Sequence, residues 1–180
     1  PIAIVDFYNP DNMDNLGEDI ASVLISDLEA SGLFLAIGKA AFLQTNVSLI
    51  KNGPQLSNWR PLRARFLVYG EVKGSGGGIV INFRLFDVMT GKQMLGLSFN
   101  GQKSNWRRMS HIIADRIYTR VTGESGIFDS KIVFIENLSS DKTKPVKRVT
   151  IMDWDGHNPQ PLTNGKELVL TPRISPNARY

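Results

Sequence analysis

Ala64-Arg65-Phe66-Leu67-Val68-Tyr69-Gly70-Glu71-Val72 is rich in Phe, Val and Tyr, and Lys73 links it to Gly74-Ser75-Gly76-Gly77-Gly78. Ile79-Val80-Ile81-Asn82-Phe83-Arg84-Leu85-Phe86-Asp87 then alternates after its start, and Thr90-Gly91-Lys92 leads into Gln93 to Asn100. Aromatic and β-branched residues suit a pleated, half-buried surface. The glycines supply the positive φ that tight reversals need. Three strands joined by two short glycine turns read as an antiparallel meander.

Working outward from the meander, Ile2-Ala3-Ile4-Val5-Asp6-Phe7-Tyr8 is a buried strand ended by the turn Asn9-Pro10-Asp11-Asn12. The period then changes. Leu16, Ile20, Val23, Leu24, Ile25 and Leu28 follow a 3.6-residue spacing, with Glu18, Asp19, Asp27 and Glu29 filling the other side. Asp14 or Asn15 is expected to cap this helix, and Ser31-Gly32 to end it. Leu33 to Ile37 reads as a short strand. Gly38 to Ser57 leaves a helical turn at Ala40–Leu43 and a loop at Asn52-Gly53-Pro54 as its only signals, and a turn of helix around Asn58 to Arg63 leads into the meander. On the other side, Trp106, Met109, Ile113, Ile117 and Val121 form the stripe of an amphipathic helix over Ser104 to Thr122, stopped by Gly123.

Beyond Gly126 no segment has helical period. Lys131 to Glu136 is a strand, Asn137 to Pro145 a polar loop, and Arg148 to Asp153 an alternating strand turned by Asp155-Gly156. Shorter strand signals follow at Gln160 to Thr163, Leu168 to Thr171 and from Ser175 to Tyr180. The expected fold class is therefore an α/β N-terminal domain over residues 1–125, a mixed sheet packed with helices, followed by an all-β segment over 126–180.

The 180 residues contain 21 Lys+Arg, 17 Asp+Glu and no cysteine. With no thiol there is no disulfide framework, no thiolate zinc site and no cysteine nucleophile. The excess of four positive charges splits evenly between the two parts and is interrupted by acids, which argues against a duplex-binding face. No apolar stretch approaches the roughly 20 residues of a membrane span. A chain opening at Pro1 is expected of a processed product with any signal peptide removed.

Three groups of residues belong together: Ile2-Ala3-Ile4-Val5-Asp6-Phe7 with Asp19 to Leu28 and Ser31-Gly32-Leu33-Phe34, and Val68-Tyr69-Gly70-Glu71-Val72 with Phe83-Arg84-Leu85-Phe86-Asp87. The third is Lys131 to Ile135, Ile151 to Asn158, Pro161-Leu162-Thr163 and Ser175 to Tyr180, an order that looks like a propeller repeat. Together they resemble the TolB family, the periplasmic proteins of the Tol–Pal envelope system of Gram-negative bacteria. The resemblance implies that residues 126–180 begin a six-bladed β-propeller, truncated after about one blade. It implies a periplasmic protein–protein interaction component that maintains outer-membrane integrity and supports constriction at cell division. The implied partners are the lipoprotein Pal and inner-membrane TolA, with no nucleic acid and no direct membrane insertion. The family's extreme N-terminus engages TolA. The regions that bind Pal or TolA are therefore expected to lie largely outside this chain.

Local chemistry adds no catalytic, cofactor or metal residue. Gly74 to Gly78 is followed by a strand, whereas a phosphate cradle needs a helix N-terminus there. Gly96-Leu97-Ser98-Phe99-Asn100 is one residue short of a nucleophile elbow and lies within a strand, which leaves Ser98 a strand residue. His111 and His157 are far apart in sequence and read as surface or interfacial residues. Asp153-Trp154-Asp155-Gly156 lacks the later ligands of a calcium loop and reads as a reverse turn, with Trp154 packed on a neighbouring blade or exposed. Arg60, Arg63 and Arg65 with Trp59 and Phe66 are too few for a single-strand platform. The expectation is a non-enzymatic interaction protein without cofactor. The alternatives are the N-terminal part of a propeller-bearing hydrolase and a nucleic-acid-binding α/β module.

Overall fold

The computed structural model describes residues 1–140, 145–166, 169 and 171–175. The chain divides into two compact units, Pro1–Gly126 and a second that begins at Ile127.

The first unit carries a four-stranded sheet in the order β1-β2-β3-β4, formed by Ile2–Ile4, Phe66–Ser75, Gly78–Asp87 and Lys92–Gly101. β1 runs parallel to β2, and β2, β3 and β4 are antiparallel, so the sheet is mixed as expected. Gly76 and Gly77, at φ 54° and 87°, form the two-residue hairpin turn from β2 to β3. Between β3 and β4, Asp87 organises the reversal. Its Oδ1 accepts from the Met89 and Thr90 amides, its Oδ2 meets Arg65 at 3.0 Å, and its carbonyl accepts from Gly91.

Helices α1 (Leu16–Ala30) and α4 (Trp106–Thr122) pack on one face of the sheet and on each other. Leu16, Ile20, Val23, Leu24 and Leu28 are buried from α1, and Met109, Ile113 and Ile117 from α4, as the 3.6-residue spacing demands. They meet Val68, Val72, Ile79, Ile81, Phe83 and Leu85, the residues of one strand parity. Gly70 belongs to that parity and must be glycine. A Cβ there would lie 2.5 Å from the Phe7 ring and 2.3 Å from the Asn82 carbonyl. The α1 N-cap is Asn15, but no side chain bonds the first turn, while Asp14 pairs with Lys103 instead. Gly123, at φ 84°, closes α4 in the left-handed conformation expected of a helix stop.

The other face of the sheet is covered by the segment least legible in the sequence. Lys39–Ala41 forms a 3₁₀ turn, Asn46–Asn52 is α2 and Leu56–Trp59 is α3. Thr45 caps α2 by accepting from the Ser48 amide at 3.2 Å. Leu49, Trp59, Ala64, Leu67, Tyr69 and Val88 form the second core, with Phe42 edge-on to Trp59. The expected strand at Leu33–Ile37 is reduced to one bridge, Ile2 to Ala36. Ile2 donates to the Leu35 carbonyl and accepts from the Ile37 amide, Glu29 Oε1 accepts from the Ala36 amide at 2.9 Å, and Leu33 and Leu35 stay exposed.

In the second unit β5 (Lys131–Asn137), β6 (Lys147–Asp153) and β7 (Gln160–Pro161) form an antiparallel sheet. Residues 141–144 of the expected polar loop lie outside the described residues, as does most of the strand signals at Leu168 to Thr171 and Ser175 to Tyr180.

Candidate interaction surface

Gly76 and Gly77 are consumed by the β2–β3 hairpin, and β3 follows them, so their amides do not open a helix. Ser98 sits in β4 directly across from Asn82, an amide that cannot take a proton from the hydroxyl. Arg60 donates to the carbonyls of Val88 and Met89 at 3.4 Å, and Arg65 pairs with Asp87 and lies 5.8 Å over the Phe66 ring. Arg63 adopts a left-handed φ of 56° at the turn between them. The three arginines therefore tie the α3-to-β2 junction. Trp59 is wholly buried and offers no face to a base.

His111 corrects the sequence reading. It is buried, at 2% exposure, and its Nδ1 lies 2.7 Å from Oδ2 of Asp27, which is fully buried on α1. By sequence spacing Asp27 falls on the polar side of its helix. The acid is buried because α4 covers that side as well, and the two polar groups satisfy one another there. In the second unit His157 is exposed, with Nδ1 3.4 Å from Asp155. Asp153 receives Lys131 and Asn158 on its two oxygens, and its carbonyl accepts from Gly156 at φ 86°. This is the expected Asp–Gly reversal. Trp154 packs against Phe128, with ring centres 5.3 Å apart, a partner from its own unit rather than from another blade.

A surface lined by polar groups from three strands lies on the α2 side of the sheet. Tyr69 and Glu71 of β2, Asn82 and Arg84 of β3, and Gln93 and Ser98 of β4 line a groove of about 430 Å³. Side chains of one parity point to one face of a sheet, and the register shift between Leu85 and Phe86 brings Gln93 to the face of Ser98, so the meander places these six together. Asn82 donates to Glu71 Oε1 at 3.2 Å, and Lys73 Nζ sits 2.8 Å from Glu71 Oε2. That bond to Glu71 holds the Lys73 ammonium above its usual range. The floor thus presents donors and acceptors in a row, a match for peptide groups and polar side chains. No pattern in the sequence marks such a surface, because its members are spaced by strand pairing.

The TolB amino-terminal domain family matches residues 1–94 of the chain. The Tol–Pal system protein TolB of Paramagnetospirillum magneticum is 47% identical over 99% of this chain. The crystal structure of TolB from Acinetobacter baumannii superposes with a TM-score of 0.81 at 26% identity, covering 98% of this chain. The chain spans about two fifths of the length of both relatives, 40% and 41%. With the mixed α/β unit, the all-β sheet that follows it and this similarity from end to end, the chain belongs to the TolB family.

Proposed function

We propose that this chain is the N-terminal α/β domain and the first propeller blade of a periplasmic component of the Tol–Pal envelope system. It works by holding partners and not by catalysis. The observation that carries this reading is the 47% identity to a Tol–Pal system protein over 99% of the chain. The fold supports it, because a two-sided core makes the first unit a rigid platform, and the groove over β2–β4 offers hydrogen-bonding groups without a nucleophile–base pair among the described residues. No helix among the described residues is long and apolar enough to cross a membrane. The partners are the lipoprotein Pal and inner-membrane TolA, and the role is to keep the outer membrane intact and drawn in during division.

The test uses the complete protein of the source bacterium. Purified full-length protein should bind the soluble domains of its cognate Pal and TolA in calorimetry. Deleting its gene should cause leakage of periplasmic enzymes and detergent sensitivity, both reversed by complementation. A deletion strain with an intact envelope, together with no binding to either partner, overturns the reading.

A further inference from the structure

β4 pairs with β3 along one side, and among the described residues no strand pairs with its other side. The register slips once, between Leu85 and Phe86, and from Leu95 to Gly101 it is unbroken. Unpaired edges are usually blunted by proline, inward-pointing charge or covering elements. From Leu95 to Gly101 there is neither proline nor charge. One carbonyl before that stretch, Met94, is covered, accepting from Arg120 Nε at 3.1 Å. The stretch itself is an open template for another strand.

Beside this edge runs a second groove, of about 560 Å³, between β4 and α4. Leu95, Leu97 and Phe99 form its floor and Arg116, Thr119 and Arg120 its wall. Among the described residues neither guanidinium meets a carboxylate. A cation in the last turn of α4 complements the helix dipole. That explains Arg120 but not Arg116, a full turn earlier over the same groove.

We propose that the β4 edge and this groove take an extended acidic polypeptide as a fifth strand. Alternation fixes the pattern. Residues of the added strand beside Leu95, Leu97 and Phe99 point toward α4, where carboxylates reach Arg116 and Arg120 bidentately. Residues of the other parity lie beside Gly96 and Ser98 and are small and polar. A second copy of this chain fits poorly. In a continuous antiparallel sheet both α4 helices lie on one face, which brings four guanidiniums to a single seam.

The probe is the synthetic peptide Ser-Glu-Thr-Glu-Thr-Glu-Ser, capped at both ends, added to the whole chain. We expect binding tighter than about 1 mM, slowed amide exchange confined to Leu95–Gly101, and about tenfold weaker binding to the Arg116→Glu/Arg120→Glu variant. Lys51→Glu, on α2 and away from the groove, should bind as the parent does. Two peptide variants keep the test independent of the protein variant's folding. Replacing Glu by Lys, or methylating alternate backbone nitrogens, should each abolish binding. Equal binding of the Glu and Lys peptides, tolerance of N-methylation, or protection away from β4 overturns the proposal. So does a doubled mass in sedimentation without peptide binding, which would assign the edge to a second copy.

Discussion

Asp27 on α1 and His111 on α4 are joined by a 2.7 Å contact between buried side chains, linking two helices 84 positions apart in sequence. The apolar residues that α1 and α4 bury around it tolerate sliding, whereas a hydrogen-bonded pair has one register. Removing either partner leaves the other buried without it, which costs about 3 kcal/mol or more. Asp27→Ala and His111→Ala should each lower the urea midpoint of the first unit strongly, and the double variant should cost much less than their sum. Additive losses would mean that the pair is not coupled.

A second polar knot holds the irregular segment over the other face of the sheet. Gln44, at 4% exposure, accepts at Oε1 from the Trp59 indole and the Gln55 amide, both at 3.0 Å. Its Nε2 donates to the Gly53 carbonyl at 2.8 Å. One amide thus replaces the backbone ladder that this segment lacks. Gln44→Ala should cost about 2–3 kcal/mol, because it orphans a buried indole N–H and a carbonyl. Gln44→Glu keeps the acceptor but buries a charge and turns a carboxylate oxygen on the Gly53 carbonyl, so no smaller loss is expected. Exchange of the Trp59 indole proton is the direct readout, and an unchanged rate in Gln44→Ala would refute the assignment.

These two knots mark where sequence reading stops. Periodicity is a local signal, and it located α1, α4 and the β2–β4 meander, because their apolar residues recur at the spacing of the element that buries them. Gly76-Gly77 and Gly123 were legible for the same reason, since their backbone conformations are demanded by neighbours in sequence. Asp27 read as surface because its helix alone shows an acid beside the apolar stripe, and nothing local announces His111 opposite it. Gln44 to Trp59 has no period because its bonds run from side chain to backbone. The groove over Glu71, Asn82 and Ser98 is assembled by register across three strands, which no local pattern in the sequence announces.

Gly70 gives a prediction about packing between β2, β3 and the residues after β1. The ring of Phe7 occupies the space a side chain would need, and Tyr8 bonds the Gly70 carbonyl at 2.8 Å. Gly70→Ala should destabilise by about 1–3 kcal/mol, the usual cost of overpacking. Adding Phe7→Leu should recover only part of this, since the contact with the Asn82 carbonyl remains. Full recovery would show that the ring alone sets the requirement, and no loss in the single variant would show that the strand shifts freely.

The last prediction concerns acid and the hairpin of the second unit. Glu136 on β5 lies opposite Arg148 on β6, accepting at Oε2 from the Arg148 guanidinium at 2.8 Å and from the Thr150 hydroxyl at 2.9 Å. The Arg148 bond first, and then the Thr150 bond, hold its carboxyl below its ordinary value of 4.5. A carboxyl depressed in the folded state releases its proton more readily there than in the unfolded chain. Its contribution is therefore complete above the ordinary value and is lost as the pH falls through the depressed one. Amide exchange across the β5–β6 pairing should accelerate through that acid window and be flat above it. Arg148→Gln should move the Glu136 carboxyl titration, followed by its side-chain carbon resonance, back toward 4.5. Glu136→Gln should remove this acid step while leaving the register intact. If the parent carboxyl already titrates at its ordinary value, the ion pair across β5 and β6 does not form in solution and the hairpin is held by its backbone ladder alone.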